Sequence, residues 1–295
     1  MKTPHSPLAH TKAIAQLLWQ TSRPRFWMYT LGPFILGSFA GATNATAFTH
    51  PIFWIGLLAW TLPLNLFLYG VNDLADHDTD QHNPKKKGYE HLLGRQQQPI
   101  LKAAIIVALV IVLPFLHSLA PLWAQAFLWL HMFLCWAYSM LPIRFKARPF
   151  VDAASNLLYA LPGFYAYFTL GGTHFSPLLF LAACCWCAAM HAFSAIPDIA
   201  ADKKAHLKTT AVVLGEQKTL SFCALLYLLA AILSFPYLSI LGLVFGVIYQ
   251  GLIWQARSKK QTVFSVYKVF PLVNAFVGFI LTMAILFFRY KSLVA

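Results

Sequence analysis

Apolar runs of similar length, separated by short polar loops, fill most of the chain. They lie near 24–42, 52–72, 100–117, 119–141, 151–171, 176–196, 217–234, 237–255 and 266–288. Each approaches the roughly 20 residues that an α-helix needs to cross the hydrocarbon layer of a bilayer. The pattern predicts an all-α integral membrane protein, a bundle of nine transmembrane helices. Ahead of the first run, residues 1–22 are polar to amphipathic, with Leu8, Ala13, Leu17 and Leu18 placed to rest as a short helix on the membrane surface. Ala13–Trp19 is too short for a secretory signal, and no small-residue cleavage site follows it. Residues 23–291 are then expected to form a single nine-helix domain. Asn65 and Asn274, inside the runs, read as hydrogen-bonding glue between helices. His131 and His191 read as neutral packing histidines, although histidine at membrane depth is costly when charged and often has a function.

Composition supports the membrane reading. Hydrophobic residues make up 59% of the chain and charged residues 11%, against roughly 25% charged in a soluble domain. The net charge of +13 does not point to nucleic acid, because the basic residues are dispersed among short loops. That dispersal fits membrane topology and contact with anionic lipid or phosphate. The five cysteines (Cys135, Cys184, Cys185, Cys187 and Cys223) sit inside apolar runs. Without a paired, loop-borne motif they read as small buried hydrophobes rather than metal ligands.

Charge also orients the bundle. With the N-terminus in the cytoplasm and the runs alternating, every Lys and Arg except Arg289 and Lys291 falls on the inner side, as the positive-inside rule requires. The acids follow no such rule, yet all nine fall on the same side. The loops expected outside, near 43–50 and 172–175, carry no charge. An Asp-rich chamber at the cytoplasmic face is the result.

Two acidic clusters define that chamber. Asn72, Asp76 and Asp80 recur at i, i+4, i+8, with Asp73 beside Asp76 at i+3, so on a helix they share one face. Asp198 and Asp202 repeat the i, i+4 spacing at the end of another apolar run. Stacked carboxylates repel and need cations, and oxygen-rich sites of this kind suit Mg²⁺ bridging to a diphosphate. The plainer reading is a set of solvated acids beyond helix ends. A cation or phosphate transporter is the rival from another class, although transporters place their ions near the midplane, at broken helices.

Basic loops adjoin the acids. Arg144, Lys146 and Arg148 alternate in one loop and can neutralise a diphosphate, while positive-inside anchoring accounts for them equally well. Asp152 and Asn156 share a face just beyond, with Tyr159 a further turn along. Lys208 lies in the loop after the second cluster, as Lys85, Lys86 and Lys87 follow the first.

Asn72-Asp73-x-x-Asp76-x-x-x-Asp80 and Asp198-x-x-x-Asp202, each closing a membrane helix, resemble the UbiA-type intramembrane prenyltransferases, as does Lys208-Thr209-Thr210-Ala211-Val212-Val213-Leu214-Gly215. The resemblance implies a nine-helix bundle, bound Mg²⁺, a prenyl diphosphate donor and a lipophilic acceptor. In many quinone-pathway members a Tyr is followed four residues later by Lys; here Tyr138 is followed by Pro142, and the cations come at Arg144 and Lys146. That detail is similar to the lycopene elongases of the carotenoid branch. So are Ser22-Arg23-Pro24-Arg25-Phe26-Trp27, Asp80-x-x-Asn83-Pro84-x-Lys86 and Arg144-Phe145-Lys146-Ala147-Arg148-Pro149-x-x-Asp152.

On this basis Asp73, Asp76, Asp80, Asp198 and Asp202 are expected to hold Mg²⁺. Asn72, Arg23, Arg148 and Asn156 are expected to contact substrate, and Lys208, Arg144, Lys146, Tyr138 and Asp152 to serve catalysis. The expected reaction moves a prenyl group, a C5 unit in the carotenoid reading, onto an acceptor such as lycopene. An aromatic quinone precursor such as 4-hydroxybenzoate is the alternative acceptor. The expected location is a bacterial or archaeal cell membrane, with the site on the cytoplasmic side.

Overall fold

The computed structural model describes residues 7–76, 91–258 and 262–294. All regular structure among them is helical: α1 (Pro7–Ser22), α2 (Met28–Gly41), α3 (Pro51–Ala59), α4 (Leu62–Ala75), α5 (Gln98–Ser118), α6 (Leu122–Ser139), α7 (Val151–Ala154), α8 (Leu161–Thr169), α9 (Pro177–Ala195), α10 (Ile199–Lys204), α11 (Thr210–Leu238), α12 (Ile240–Arg257) and α13 (Val263–Val294). Leu, Phe, Val and Trp side chains cover the outer surfaces, with Leu122 and Phe288 80% exposed. Such a surface is stable only against lipid. The chain is an all-α, multi-span integral membrane bundle.

Six helical stretches, not nine, are long and apolar enough to cross a membrane among the described residues: Pro51–Ala75, Arg95–Ser118, Pro177–Lys204, Thr210–Leu238, Ile240–Arg257 and Val263–Arg289. The other three expected spans are helical but short, broken or more polar. Helix α2 has only 14 residues. Helix α6 has 18 and carries Gln125, His131 and Tyr138. The run 151–171 splits into α7, a 3₁₀ turn at Ser155–Tyr159 and α8. Pro162 stands in the first turn of α8, where its missing N–H is tolerated, and the Asn156 amide donates to the Asp152 backbone carbonyl at 2.8 Å.

Other breaks are repaired by side chains, as a membrane interior demands. Pro63 opens α4, and α3 ends just before the fully buried Trp60. The freed Trp60 carbonyl accepts from Thr30 Oγ1 at 3.0 Å and from Asn65 Nδ2 at 2.9 Å, so Asn65 does join elements. Asn274 behaves alike, donating to the Tyr29 hydroxyl at 3.0 Å and accepting from the Tyr249 hydroxyl at 2.8 Å. Helix α11 bends at Gly215, whose φ of 72° suits a residue without Cβ. Helix α1 does not lie apart from the bundle: it packs along α4, and Leu17 enters the core.

The core has two parts. One gathers side chains of α1–α6 and α8; the other gathers those of α9 and α11–α13. Helices α2 and α13 close the ring, where Arg289 donates to the carbonyls of Ala40 at 2.6 Å and Ala42 at 2.7 Å. Between the two parts lies a cavity of about 600 Å³.

The α2–α8 contact is tight enough to exclude a methyl group. A Cβ on Gly37 would stand 1.9 Å from the Gly163 carbonyl oxygen, whereas one on Gly32 meets nothing within 4 Å. Small residues at such crossings let membrane helices approach closely. Gly37→Ala is expected to destabilise the detergent-solubilised protein by roughly 1–3 kcal/mol, the usual cost of overpacking, with Gly32→Ala close to neutral in the same thermal melts.

Candidate active site

The cavity is where the polar motifs meet. The end of α4 supplies Asn72 and Asp76, α6 supplies Tyr138, and the loop after it supplies Lys146. The 3₁₀ turn before α8 contributes Asn156 and Tyr159, α9 contributes His191 and Ser194, and Asp198, Asp202 and Lys204 come from the turn after α9 and from α10. Arg23 reaches in from the turn ahead of α2.

Helix α4 stops at Ala75, and within the described residues the face expected to run from Asn72 to Asp80 ends at Asp76. Asp76 caps the helix, its backbone N–H donating to the Asn72 carbonyl at 2.9 Å. The Asn72 amide still reaches Asp76 Oδ2 at 2.9 Å and Ser139 Oγ at 2.9 Å. Asp80, with Lys85, Lys86 and Lys87, lies outside the described residues.

Both acids at the end of α4 are buried and carry cations. Asp73 is 1% exposed and accepts from Arg23 Nη2 at 2.8 Å, while the guanidinium lies over the Tyr69 ring at 4.7 Å. Asp76 is bonded by Lys146 Nζ and faces Arg144 Nη2 at 3.8 Å. Burial pushes the Lys146 ammonium down to about 8, against the opposing pull of Asp202 and Asp73. Arg23 and Arg144 both take left-handed backbone, with φ of 51° and 43°. A non-glycine residue holds that conformation only where its surroundings enforce it.

Five expected site residues stand outside the cavity lining. Asp73 lies beneath Arg23, Arg144 stands behind Lys146, and Lys208 and Arg148 are exposed, the last donating to the Pro142 carbonyl at 3.3 Å. Asp152 is fully buried and caps α11: Oδ2 accepts the Thr210 backbone N–H at 2.8 Å, and Oδ1 accepts the Thr210 hydroxyl. Thr209 adds its own cap, accepting the Val212 N–H at 3.2 Å and donating to Asp202 at 3.4 Å.

Sequence reading passed over other members of the wall. His191, which reads as a packing residue from its apolar neighbours, lines the cavity, and so does Lys204. An aromatic lining of Phe26, Tyr29, Tyr69, Tyr159, Tyr267 and Phe270 also faces the cavity. Apart from Phe26, in the Ser22–Trp27 motif, and Tyr159, a turn beyond Asn156, nothing in the pattern separated these rings from those facing lipid.

Among the described residues, no three of His, Cys, Asp and Glu stand close enough to hold one ion by themselves. The donors nevertheless fit Mg²⁺. Asn72, Asp76, Asp198 and Asp202 offer hard oxygens around one cavity, and Mg²⁺ is commonly held by one or two carboxylates with substrate phosphates completing its shell.

Fold and site together define a membrane-embedded helical protein with paired acidic elements and cations around one chamber. Residues 30–268 match the UbiA prenyltransferase family. A lycopene elongase/hydratase from Halobacterium salinarum is 37% identical over 270 residues, covering 90% of this chain and 95% of that one. Another from Haloferax volcanii is 38% identical over 267 residues, covering 90% and 87%. Among solved structures, a UbiA homologue from Archaeoglobus fulgidus bound to GPP and Mg²⁺ superposes with a TM-score of 0.69 at 23% identity, covering 91% and 98%. The chain belongs to the UbiA prenyltransferase family and is an enzyme of that class.

The Arg23–Asp73 pair generates a stability test. Removing one partner of a buried ion pair costs about 3–5 kcal/mol, because the other charge is left uncompensated. Arg23→Gln should therefore lower the thermal midpoint clearly, and Arg23→Gln with Asp73→Asn should recover part of the loss. Thermal melts of the two single variants and the double variant measure the coupling.

Proposed function

We propose that this protein transfers a prenyl group from an allylic diphosphate to a lipophilic acceptor, with Mg²⁺. The observation that carries the reading is the meeting of Asp76, Asp198 and Asp202 with Asn72, Lys146 and Arg23 at one cavity. When bound, Mg²⁺ supplies Lewis-acid charge that weakens the C–O bond of the diphosphate. Asp76, Asp198 and Asp202 would hold it, with Asn72 as a further oxygen donor and Asp80 completing the first motif. Asp73 acts one step back, fixing Arg23.

The chain's cations receive the leaving group. Lys146 and Arg23 face the cavity, and Arg144 stands behind Lys146. Preorganised charges of this kind stabilise a developing anion most where water is excluded. Arg148 and Lys208, at the surface, suit capture of the diphosphate and contact with anionic lipid. The Tyr69, Tyr159 and Tyr29 rings offer electron-rich faces to an allylic cation.

The acceptor we favour is a polyene such as lycopene, extended by a C5 donor. The lycopene elongase/hydratase relatives support it, as do the apolar walls of Leu68, Leu158, Met190, Phe270 and Pro271. The topology we propose keeps nine crossings, with α2, α6 and the broken α7–α8 segment completing the six long spans. The N-terminus and chamber are cytoplasmic, and residues 23–291 act as one domain behind an N-terminal segment of 22 residues.

Chelation tests the class of reaction. Purified protein should release diphosphate from dimethylallyl diphosphate with Mg²⁺ and lose that activity in excess EDTA; unchanged turnover would sink the reading. Asp76→Asn should lower turnover by about 10²-fold or more, on the scale of losing an electrostatic contact to the transition state. The acceptor is tested separately in a lycopene-making host, where a longer carotenoid should appear. Prenylated 4-hydroxybenzoate without any longer carotenoid would transfer the reading to an aromatic acceptor, and ion flux in liposomes without prenyl chemistry would favour a transporter.

A further inference from the structure

Prenyl transfer is not finished when the new carbon–carbon bond forms. Attack of an acceptor double bond on an allylic cation leaves a cation on the acceptor, and an alkene product forms from it only when an adjacent C–H bond gives up its proton. Asp73 and Asp76 are engaged by Arg23 and by Lys146 with Arg144, so the proton calls for a different group.

We propose that His191 is the base that takes this proton, positioned by Asp152 and Tyr138. The proposal rests on the prenyl-transfer reading above. The imidazole lines the cavity from α9. Its Nε2 lies 3.5 Å from the Tyr138 hydroxyl, in the same wall, and 3.9 Å from Asp152 Oδ2. The Tyr138 and His191 rings meet edge to face at 87°, which orients the imidazole. Asp152 has no exposure, and Thr210 occupies both of its oxygens. It is therefore shut off from substrate, but its charge is held next to Nε2, so the nitrogen that takes the substrate proton is Nδ1.

This arrangement follows the logic of a buried carboxylate behind a catalytic histidine. The carboxylate fixes the ring and compensates the positive charge that arrives with the proton. Met190, on the same helix, and Leu158 and Phe270 flank the cavity with apolar surface, which suits a hydrocarbon acceptor. The step balances without any oxidant or reductant. The C1–O bond breaks and diphosphate leaves with its electron pair, and the acceptor's π pair forms the C–C bond. The pair of the broken C–H bond then becomes the product's double bond, and the proton ends on Nδ1, while Nε2–H stays turned toward Asp152 and Tyr138. It leaves afterwards to diphosphate or water.

The test uses the full chain in nanodiscs with Mg²⁺, dimethylallyl diphosphate and lycopene, or 4-hydroxybenzoate if that is what the wild type prenylates. Coupled product is measured per diphosphate released for wild type, His191→Gln and His191→Asn, each checked by thermal melting. The ratio should fall roughly 30-fold or more, toward the 10²–10⁴ typical of a general base, because the trapped cation reverts and the allylic cation is then captured by water, releasing diphosphate without coupled product. An acceptor deuterated at the C–H bond that breaks should show a larger isotope effect in the variants than in wild type, which a packing role would not produce. A ratio within threefold of wild type in either folded variant overturns the proposal. So does an equal fall in product and diphosphate release with an unchanged isotope effect. Wild type that releases no diphosphate would instead overturn the prenyl-transfer reading.

Discussion

The structure depends on one electrostatic constraint: carboxylates buried in a lipid-embedded bundle must be matched by cations or by hydrogen-bond donors. Asp73 and Asp76 leave water at the end of α4, and an uncompensated charge there would cost several kcal/mol. Their partners come from distant parts of the chain, Arg23 from ahead of α2 and Lys146 with Arg144 from the loop after α6. Each pair therefore fastens a loop to the end of α4. The left-handed backbone at Arg23 and Arg144 is the local cost of bringing those cations inward.

The same constraint joins stability to chemistry. Carboxylates held beside cations form a cluster of alternating charge, into which a polyanion with divalent counterions can enter by exchanging partners. Burial weakens the hold of Lys146 on its proton, yet the surrounding acids keep an ammonium favourable there. On the function proposed, the groups that stabilise the bundle are also the groups that would receive the diphosphate. Behind them, the aromatic and aliphatic walls between the two core clusters provide the dry space that an allylic cation requires.

Breaks in helices follow from building such a chamber inside a membrane. Straight, uninterrupted helices leave no backbone groups exposed, but they also give little freedom to turn polar side chains inward. Here the interruptions lie at Pro63, at the 155–159 turn before Pro162 and at Gly215. Thr30, Asn65, Asn156 and the Asp152–Thr210 pair absorb the donors and acceptors around them. Arg289 does the same for the end of α2, binding two carbonyls and closing the bundle between α2 and the last long helix.

The sequence by itself determined the class of the fold, the family resemblance and the chemistry available to the chamber. Apolar length and charge placement report directly on lipid exposure, and Asp-x-x-Asp spacing reports on adjacent side chains. It did not determine where helices break. A span such as 151–171 reads as one apolar run, yet it breaks at the 155–159 turn, where the Asn156 side chain bonds the Asp152 carbonyl four residues back. Nor did it separate roles among polar residues of one type. Asp152 and Asp202 look alike along the chain, but one caps α11 out of reach of substrate while the other lines the cavity. His191 looked like a packing residue because its neighbours in sequence are apolar, whereas its neighbours in space are Tyr138 and Asp152. Local pattern encodes which groups are present and which face they share; the burial and pairing that give each group its task depend on residues dozens of positions away.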